Sequence, residues 1–493
     1  MGQSLYEELI RYSKTDAYPF HMPGHKRQLG RFADPFSFDI TEIEGFDNLH
    51  HAEGIVLNAQ QRAAALFGAE ETHFLVNGST SGILSAIGAC APTGKLLMTR
   101  NSHKAAYHSL FLNRLEAVYL YPGEGKAETE RILEQEPQIR AVYLTAPIYE
   151  GILPDVKGSL EAAHSFGLPV IVDEAHGAHF GMHPIFPPSA VSLGADLVIQ
   201  SVHKTLPSLT QTALLHVNGS LVDRRRLGQM LGIYQSSSPS YVLMASIDHC
   251  VGLLKERGVS LFDAFARELT EFYRRMEGLR HLYFLKNQDP SKILICGRRE
   301  GLSGRDISCF LRQEHHLELE METRDYALAL ASVGDSPEGF CRLGDGLLDL
   351  ESRLEAGTYR KRGDDCCDLF PLAEEFGKCR TAFGGKTPAG GAESLDGLGE
   401  PGASFILKNE APMTIWEAEQ SRKKQIALEA SLGSICGEYL YLYPPGVPLA
   451  VPGERISREL LEEVLRYRET GWYLQGLEDH QMEKIWVLEN GEG

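Results

Sequence analysis

The chain has 493 residues, 43% of them hydrophobic, with 49 glycines and a formal net charge of −19 at pH 7. That length exceeds one core, so two or three domains of a loop-rich α/β kind are expected rather than a disordered chain. The negative charge disfavours a nucleic-acid partner, whose phosphates it repels, and no apolar run approaches the roughly 20 residues that span a bilayer.

Residues 5–13 read as a short amphipathic helix, and the N-terminal MGQSLYEELIRYSK has no apolar core like that of a secretory signal. AYPFHMPGHKRQ follows, whose Pro, Gly, His21 and His25 mark an ordered loop. In DITEIEGFDNLHHAEG, Asp39, Glu42, His50 and His51 fit no metal-ligand spacing, so no metal is expected. Residues 55–67 carry an Ala-rich helical stripe with Gly68 as its stop. A strand over 74–76 runs into Asn77-Gly78-Ser79-Thr80-Ser81-Gly82, with a helix from about Ile83. Free N–H groups and hydroxyls at a helix start make an anion site, although a plain N-cap is the commoner use of such residues. A strand over 96–98 precedes the polar insertion RNSHKAAYHSL, in which His103 either lies flat on an aromatic cofactor or caps the next helix. The strand over 141–145 leads to Ala146-Pro147-Ile148-Tyr149-Glu150-Gly151, another strand-end loop.

The stretch 168–204 organises the rest. It reads as two buried parallel strands, 168–172 and 197–199, each ending in polar residues. Ligands of open α/β sheets sit beyond the carboxyl ends of the strands. Asp173 and Glu174 stand there on the first strand, and Ser201, His203 and Lys204 on the second. Alone, such a lysine is ordinarily solvated and such an aspartate a helix cap. As a pair they suit pyridoxal phosphate, which needs a lysine for its Schiff base and an acid at its ring nitrogen.

A strand over 213–217, a basic helix over 223–231 and QSSSPSY complete a parallel, doubly wound unit across residues 70–220. From residue 282 the pattern turns α+β, with PSKILICG and YALALASVG as strands around a helix over 304–314. Residues 355–404, with GDDCCD and FGGKTPAGGAESLDGLGEPG, read as an insertion or linker. A helix over 415–432 and YLYLYPPGVPLAVPGERIS, with Pro-rich turns at Pro444-Pro445 and Pro448, make the last unit. The domains expected are therefore 1–280, 281–354, 355–404 and 405–493. Nine cysteines without metal-ligand spacing fit reduced thiols in a cytoplasm.

The blocks HMPGHK, DITEIEGFDNLHHAEG, FLVNGSTSGI, RNSHK, TAPIYEGILPD, VDEAHGAHF, QSVHKTL, SSSPSY and YPPGVPLAVPGE, in this order, resemble the bacterial ornithine/lysine/arginine decarboxylases. The likeness is to their short form without the N-terminal wing domain, and it covers most of residues 18–245 and 405–460. It implies an α/β fold of type I, the aspartate-aminotransferase kind, with a mostly parallel seven-stranded sheet and smaller α+β C-terminal domains. It further implies decarboxylation of a basic L-amino acid, arginine to agmatine first and lysine or ornithine next, in cytoplasmic polyamine biosynthesis. In that resemblance Lys204 forms the Schiff base, Asp173 pairs with the pyridinium nitrogen, and His103 stacks on the ring with His176 beside it. Ser79, Thr80, Ser81, Ser201 and His203 hold the phosphate, and Ser236 or Ser237 reaches that of a neighbouring subunit, implying a homodimer with shared sites. Val202 stands where Thr is common in the family. His203 or Lys204 returns the proton to Cα, and the residues do not choose between them. For the cationic substrate tail the acids are Glu454, Asp39, Glu42 and Asp47, with caps or surface charges as the alternative for all four. An aminotransferase or lyase would use the same Asp173 and Lys204, but HMPGHK and YPPGVPLAVPGE disfavour it. A non-catalytic subunit of the same fold is disfavoured by the intact lysine, aspartate and phosphate loop.

Overall fold

The computed structural model describes residues 5–30, 33–359, 406–442, 446–469, 471–472 and 474–489. Helix α1 (Leu5–Ser13), strand β1 (Tyr18–Phe20) and helix α2 (Ile55–Phe67) come first. Gly68 ends α2 at φ 74°, and its N–H closes on the Ala64 carbonyl, as the glycine stop predicts. Strands and helices then alternate: β2 (Glu71–Leu75), α3 (Gly78–Cys90), β3 (Lys95–Thr99), α4 (Lys104–Asn113), β4 (Glu116–Leu120), α5 (Lys126–Gln135) and β5 (Ile139–Thr145). They continue through α6 (Val156–Ser165), β6 (Val170–Asp173), α7 (Ala190–Leu193), β7 (Leu197–Gln200), α8 (Val202–Thr205) and β8 (Ala213–Val217).

The seven strands lie in the order β2-β8-β7-β6-β5-β3-β4. Strands β3 to β7 pair in parallel, but β8 runs antiparallel to both β7 and β2. The expected parallel sheet is therefore mixed. Its connection from β7 is spent on the turn that carries Lys204, with no crossover helix to bring β8 back in the same direction. Side chains alternate between two cores, as strand geometry demands. Ile171, Leu197 and Ile199 pack among the residues of α3 and α4, and Val170, Val172 and Val198 among those of α5 and α6. Burial on both faces explains why these strands read as continuous apolar runs.

Helix α9 (Arg224–Tyr234) and the 35-residue α10 (Tyr241–Arg275) lead out of this unit. A second unit follows, with β9 (Tyr283–Phe284), β10 (Lys292–Cys296), α11 (Gly304–His315), β11 (Leu317–Leu319), β12 (Met321–Glu322), β13 (Ala327–Leu330) and α12 (Pro337–Glu355). Its antiparallel sheet runs β12-β13-β10-β9, and β11 pairs in parallel with β1 from the start of the chain.

The last unit corrects one expectation. The helix predicted over 415–432 stops early, as α13 (Ile415–Gln420), and the chain becomes strand β14 (Lys423–Ala427). Five residues of β14 pair with β17 (Lys484–Leu488), and that pairing overrides helix propensity. Strands β15 (Leu440–Tyr441) and β16 (Pro448–Ala450) pair with each other, so Pro448 opens a strand instead of a turn. Helix α14 (Arg458–Glu469) packs beside them. Most of the expected 355–404 insertion, and Pro444-Pro445, lie outside the described residues. Cys90, Cys250, Cys296, Cys341 and Cys436 are free thiols, whereas Cys309 is disulfide-bonded, a departure from reduced thiols throughout. Among the described residues no helix is long and apolar enough to cross a membrane, and no group of three or more His, Cys, Asp or Glu is placed to hold a metal.

Candidate active site

Lys204 sits in α8, directly beyond the carboxyl end of β7, and Asp173 ends β6 beside it. The Lys204 Nζ lies 2.8 Å from His176 Nε2. Burial lowers the pKa of this amine, while Asp173 and Glu320 pull it back up. Asp173 accepts hydrogen bonds from the Tyr143 hydroxyl (3.0 Å) and the Ala175 N–H (3.1 Å). Burial raises its carboxyl pKa, opposed by Lys204 and by those two donors. A cation set against it adds to that opposition and favours the carboxylate.

Three neutral imidazoles surround the pair. Burial, with Lys204 and Lys104 nearby, brings His103 down to about 3. Its Nδ1 accepts the Ala105 N–H, so the capping role is real, and the flat neutral ring stays beside Lys204. Burial likewise brings His203 down to about 4. Its Nδ1 lies 2.8 Å from the Thr212 carbonyl, which only accepts, so Nδ1 carries the hydrogen. His176 is held neutral by burial and by the amines around it, and its ring packs 4.5 Å from that of Tyr149.

The residues read as an anion site gather around the start of α3 and the Lys204 turn. Helix α3 begins at Gly78, earlier than the sequence suggests, so Ser79, Thr80 and Ser81 occupy its first turn. Its N-cap, Asn77, makes no side-chain cap and instead accepts the Ser236 N–H at 3.2 Å. The first-turn N–H groups are thus left for a ligand. Ser81 is buried with its hydroxyl donated to the Gly78 carbonyl. Gln211 accepts the Gly78 N–H at 2.9 Å, and the next residue, Thr212, takes the His203 ring, which fixes α3 against the Lys204 turn. Ser201 Oγ is buried with no hydrogen-bond partner. A phosphate oxygen is the acceptor such a hydroxyl lacks. Ser236 and Ser237 are exposed beside this helix start, and the Ser236 carbonyl accepts from His50 Nε2 at 2.7 Å.

HMPGHK braces the site from behind. The Gly24 N–H donates to the His203 carbonyl at 2.8 Å. A Cβ on Gly24 would stand 2.7 Å from the Thr205 carbonyl carbon, so only glycine permits this approach. Lys26, 2% exposed, donates to the His21 and Leu330 carbonyls and stands 3.8 Å from Asp335.

Two of the four acids read from sequence for a substrate tail, Glu454 and Asp47, hold other partners. Glu454 is buried against Arg100 at 3.2 Å and also accepts from Asn409 and the Val451 N–H. Asp47 accepts the N–H groups of Asn48, Glu53, Gly54 and Val56 at 2.7–3.0 Å and caps the start of α2. Asp39 is exposed, Glu42 keeps a buried Oε1 without a hydrogen-bond partner, and neither lines the cavity formed around Tyr149 and Glu320. Burial pushes the Asp47 carboxyl up, but these N–H groups outweigh it and bring the pKa to about 2. A depressed carboxyl contributes stability that is complete above the ordinary range, near pH 4, and is lost as pH falls toward 2. Replacing Asp47 with asparagine is therefore expected to cost about 1 kcal/mol at pH 7 and to flatten thermal stability between pH 4 and 2. Melting curves of both proteins across that window check it.

Other acids line a cavity. It measures about 360 Å³ and is bounded by Tyr149, Glu150, Glu320, Glu322, Arg305 and Trp472 among others. Tyr149 donates to Glu320 and packs tilted against the His176 ring, and Glu150 is buried and accepts the Tyr326 hydroxyl at 2.7 Å. Glu322 Oε1 faces Arg305 at 3.3 Å, while its Oε2 is buried without a partner. Tyr149 and Glu150 were visible in the strand-end loop TAPIYEG. Glu320, Glu322 and Lys292 come from the second unit, and no motif around them marks them in the sequence.

A family model described as Orn/Lys/Arg decarboxylase, major domain, matches residues 3–296. An arginine decarboxylase of Bacillus subtilis (strain 168) is 28% identical over 516 aligned positions, covering 98% of this chain and 97% of that one. Uncharacterized protein YaaO of the same organism is 30% identical over 519 positions, covering 97% and 96%. The solved structure of the Escherichia coli constitutive lysine decarboxylase is alike in fold, with a TM-score of 0.69 at 20% identity over 88% of this chain and 74% of that one. The family match runs through more than half of the chain and stops at the end of β10. On that match the chain belongs to the Orn/Lys/Arg decarboxylase family, enzymes of the type I α/β fold whose cofactor, pyridoxal 5′-phosphate, suits the groups around Lys204.

Proposed function

We propose that this decarboxylase acts on arginine, releasing agmatine and carbon dioxide as a step toward polyamines, with lysine as the next substrate. The observation that carries this reading is the cavity lined by Tyr149, which packs on His176, and by carboxylates, of which Glu322 keeps one oxygen unpartnered. A guanidinium donates in a planar fork that such carboxylates match, and similar proteins from three Bacillus species bear the name arginine decarboxylase.

When bound, pyridoxal phosphate supplies the sink for the electron pair left on Cα as the carboxylate departs. The residues do the rest. Asp173, fixed by Tyr143 and Ala175, presents its carboxylate to the ring nitrogen. Lys204 offers its amine once the proton is lost, a loss that burial favours and that Asp173 and Glu320 oppose. Ser201, Ser79, Thr80 and the uncapped start of α3 would hold the phosphate, and His103 would lie beside the ring.

A homodimer with shared sites is part of this reading. Phe36 (92% exposed), Ile43, Phe46 and Ile233 form exposed apolar ground in the segments that flank Ser236 and His50. Purified protein loaded with the cofactor and offered arginine, lysine and ornithine separately, with amine and carbon dioxide measured, tests the substrate. Arginine turnover at least about tenfold above lysine is the expected result. Replacing Glu322 with glutamine is expected to raise the arginine KM about tenfold with a smaller change in kcat. An unchanged KM removes Glu322 from tail recognition.

A further inference from the structure

Lys292 has no part in the reading above. It opens β10, is 1% exposed, and its stem packs on Gly151, where an added Cβ would stand 2.9 Å from its Cγ. The other fully buried structural lysine, Lys26, has Asp335 at 3.8 Å. Among the described residues Lys292 forms no ion pair, and its Nζ has one polar neighbour, His176 Nδ1 at 3.4 Å. Across the same ring, Nε2 lies 2.8 Å from Lys204 Nζ. Two amines therefore share one imidazole, one at each nitrogen.

That arrangement constrains the protons. A neutral imidazole has one N–H and one lone pair. An ammonium only donates, so it must face the lone pair. The ring N–H then points at the other amine, which must be neutral to accept it. The charges around the two amines decide which is which. Lys204 is faced by the carboxylate of Asp173 and by Glu320, with His103, His176 and His203 as neutral rings. Lys292 is faced by Asp289, Glu320 and Glu150, but also by the cations of Lys204 and Lys26. Burial, with those two cations, brings the Lys292 amine down to about 8 against the pull of Asp289 and Glu320. Such a value suits a base working near neutral pH.

We propose that Lys292 takes the proton of Lys204 through His176, and so turns Lys204 into the nucleophile that captures the cofactor. One proton passes from Lys204 Nζ to His176 Nε2 while the Nδ1 proton passes to Lys292 Nζ. The imidazole ends as its other tautomer, Lys204 is left with a lone pair, and the ammonium now sits on Lys292. The reverse transfer restores the start, so nothing is consumed. Lys292 touches neither cofactor nor substrate and acts as a positioning residue for this proton. The proposal rests on the reading of Lys204 as the cofactor lysine.

The test uses the full-length apoprotein and pyridoxal 5′-phosphate, following capture by absorbance from pH 6 to 10 and locating the bound lysine by borohydride fixation and peptide mass. Failure of the wild type to label Lys204 sinks the reading of the site itself. If it labels Lys204, Lys292→Met is expected to slow capture about 100-fold at pH 7, with the deficit shrinking as pH rises and Lys204 loses its proton to solvent base. Lys292→Arg keeps a cation but accepts no proton, so it should behave like the Met variant. Rates that overlay the wild type, or full recovery in the Arg variant, overturn the proposal. Should both variants fail to fold by circular dichroism, an NMR titration of wild-type apoprotein labelled with 13C at lysine Cε decides. Lys292 titrating before Lys204 and near pH 8 supports the relay, and Lys292 titrating in the ordinary lysine range near pH 10 overturns it.

Discussion

Lys204→Ala is expected to lower decarboxylation by at least about 10⁴-fold while leaving the chain folded. The lysine faces Asp173, and in the proposed role its removal takes away the covalent anchor and the nucleophile together. Stability should change little. Losing a buried stem leaves a small void, but losing a buried amine also relieves its desolvation, and the two effects oppose each other. Lys204→Arg should fail equally, because a guanidinium has no lone pair to give. Carbon dioxide release and the absorbance of bound cofactor are the measurements. A yellow, fully active Ala variant would end the account.

Glu454→Ala is expected to act in the opposite way, on the fold and not on the chemistry. Arg100 and Glu454 are 2% and 1% exposed, and they join the sheet unit to the last unit. Arg100 also donates to the Pro448 and Leu449 carbonyls and to Tyr107. Removing the acid leaves a buried guanidinium without its anion and strips an acceptor from Asn409 and the Val451 N–H. Breaking one half of such a pair costs about 3–5 kcal/mol. Replacing both partners by apolar residues of similar volume should recover most of that loss. Denaturant midpoints of the single and double variants measure it. A stable Glu454→Ala protein with a raised arginine KM would instead return Glu454 to substrate binding.

These two residues mark how far the sequence could be read. The placement of Lys204 beside Asp173 was legible because both follow the carboxyl ends of neighbouring strands. α2 was legible to the residue, since its apolar stripe and Gly68 are local signals. Glu454 misled because PGE looks like an exposed loop acid until Arg100, some 350 positions earlier, is brought to it by the packing of two units. β8 reversed for a reason of the same kind, since strand direction is set by the connection and not by composition. The 415–432 helix failed because the partner of β14 lies sixty residues downstream. Lys292, Glu320 and Glu322 were invisible, because a lysine or glutamate in a strand of the second unit carries no local sign that it faces the first.

The backbone of Gly24 gives the opening segment of the chain more weight than its chemistry suggests. Its N–H is held by the His203 carbonyl, and its carbonyl by the Ser332 hydroxyl at 2.6 Å. One residue thus spans from the lysine turn to the second unit, and β1 is stitched into β11 a few residues earlier. A swing of the second unit would drag on the main chain that aims Lys204. Any displacement of the second unit would thus reach the lysine turn through the Ser332 hydroxyl and the Gly24 backbone.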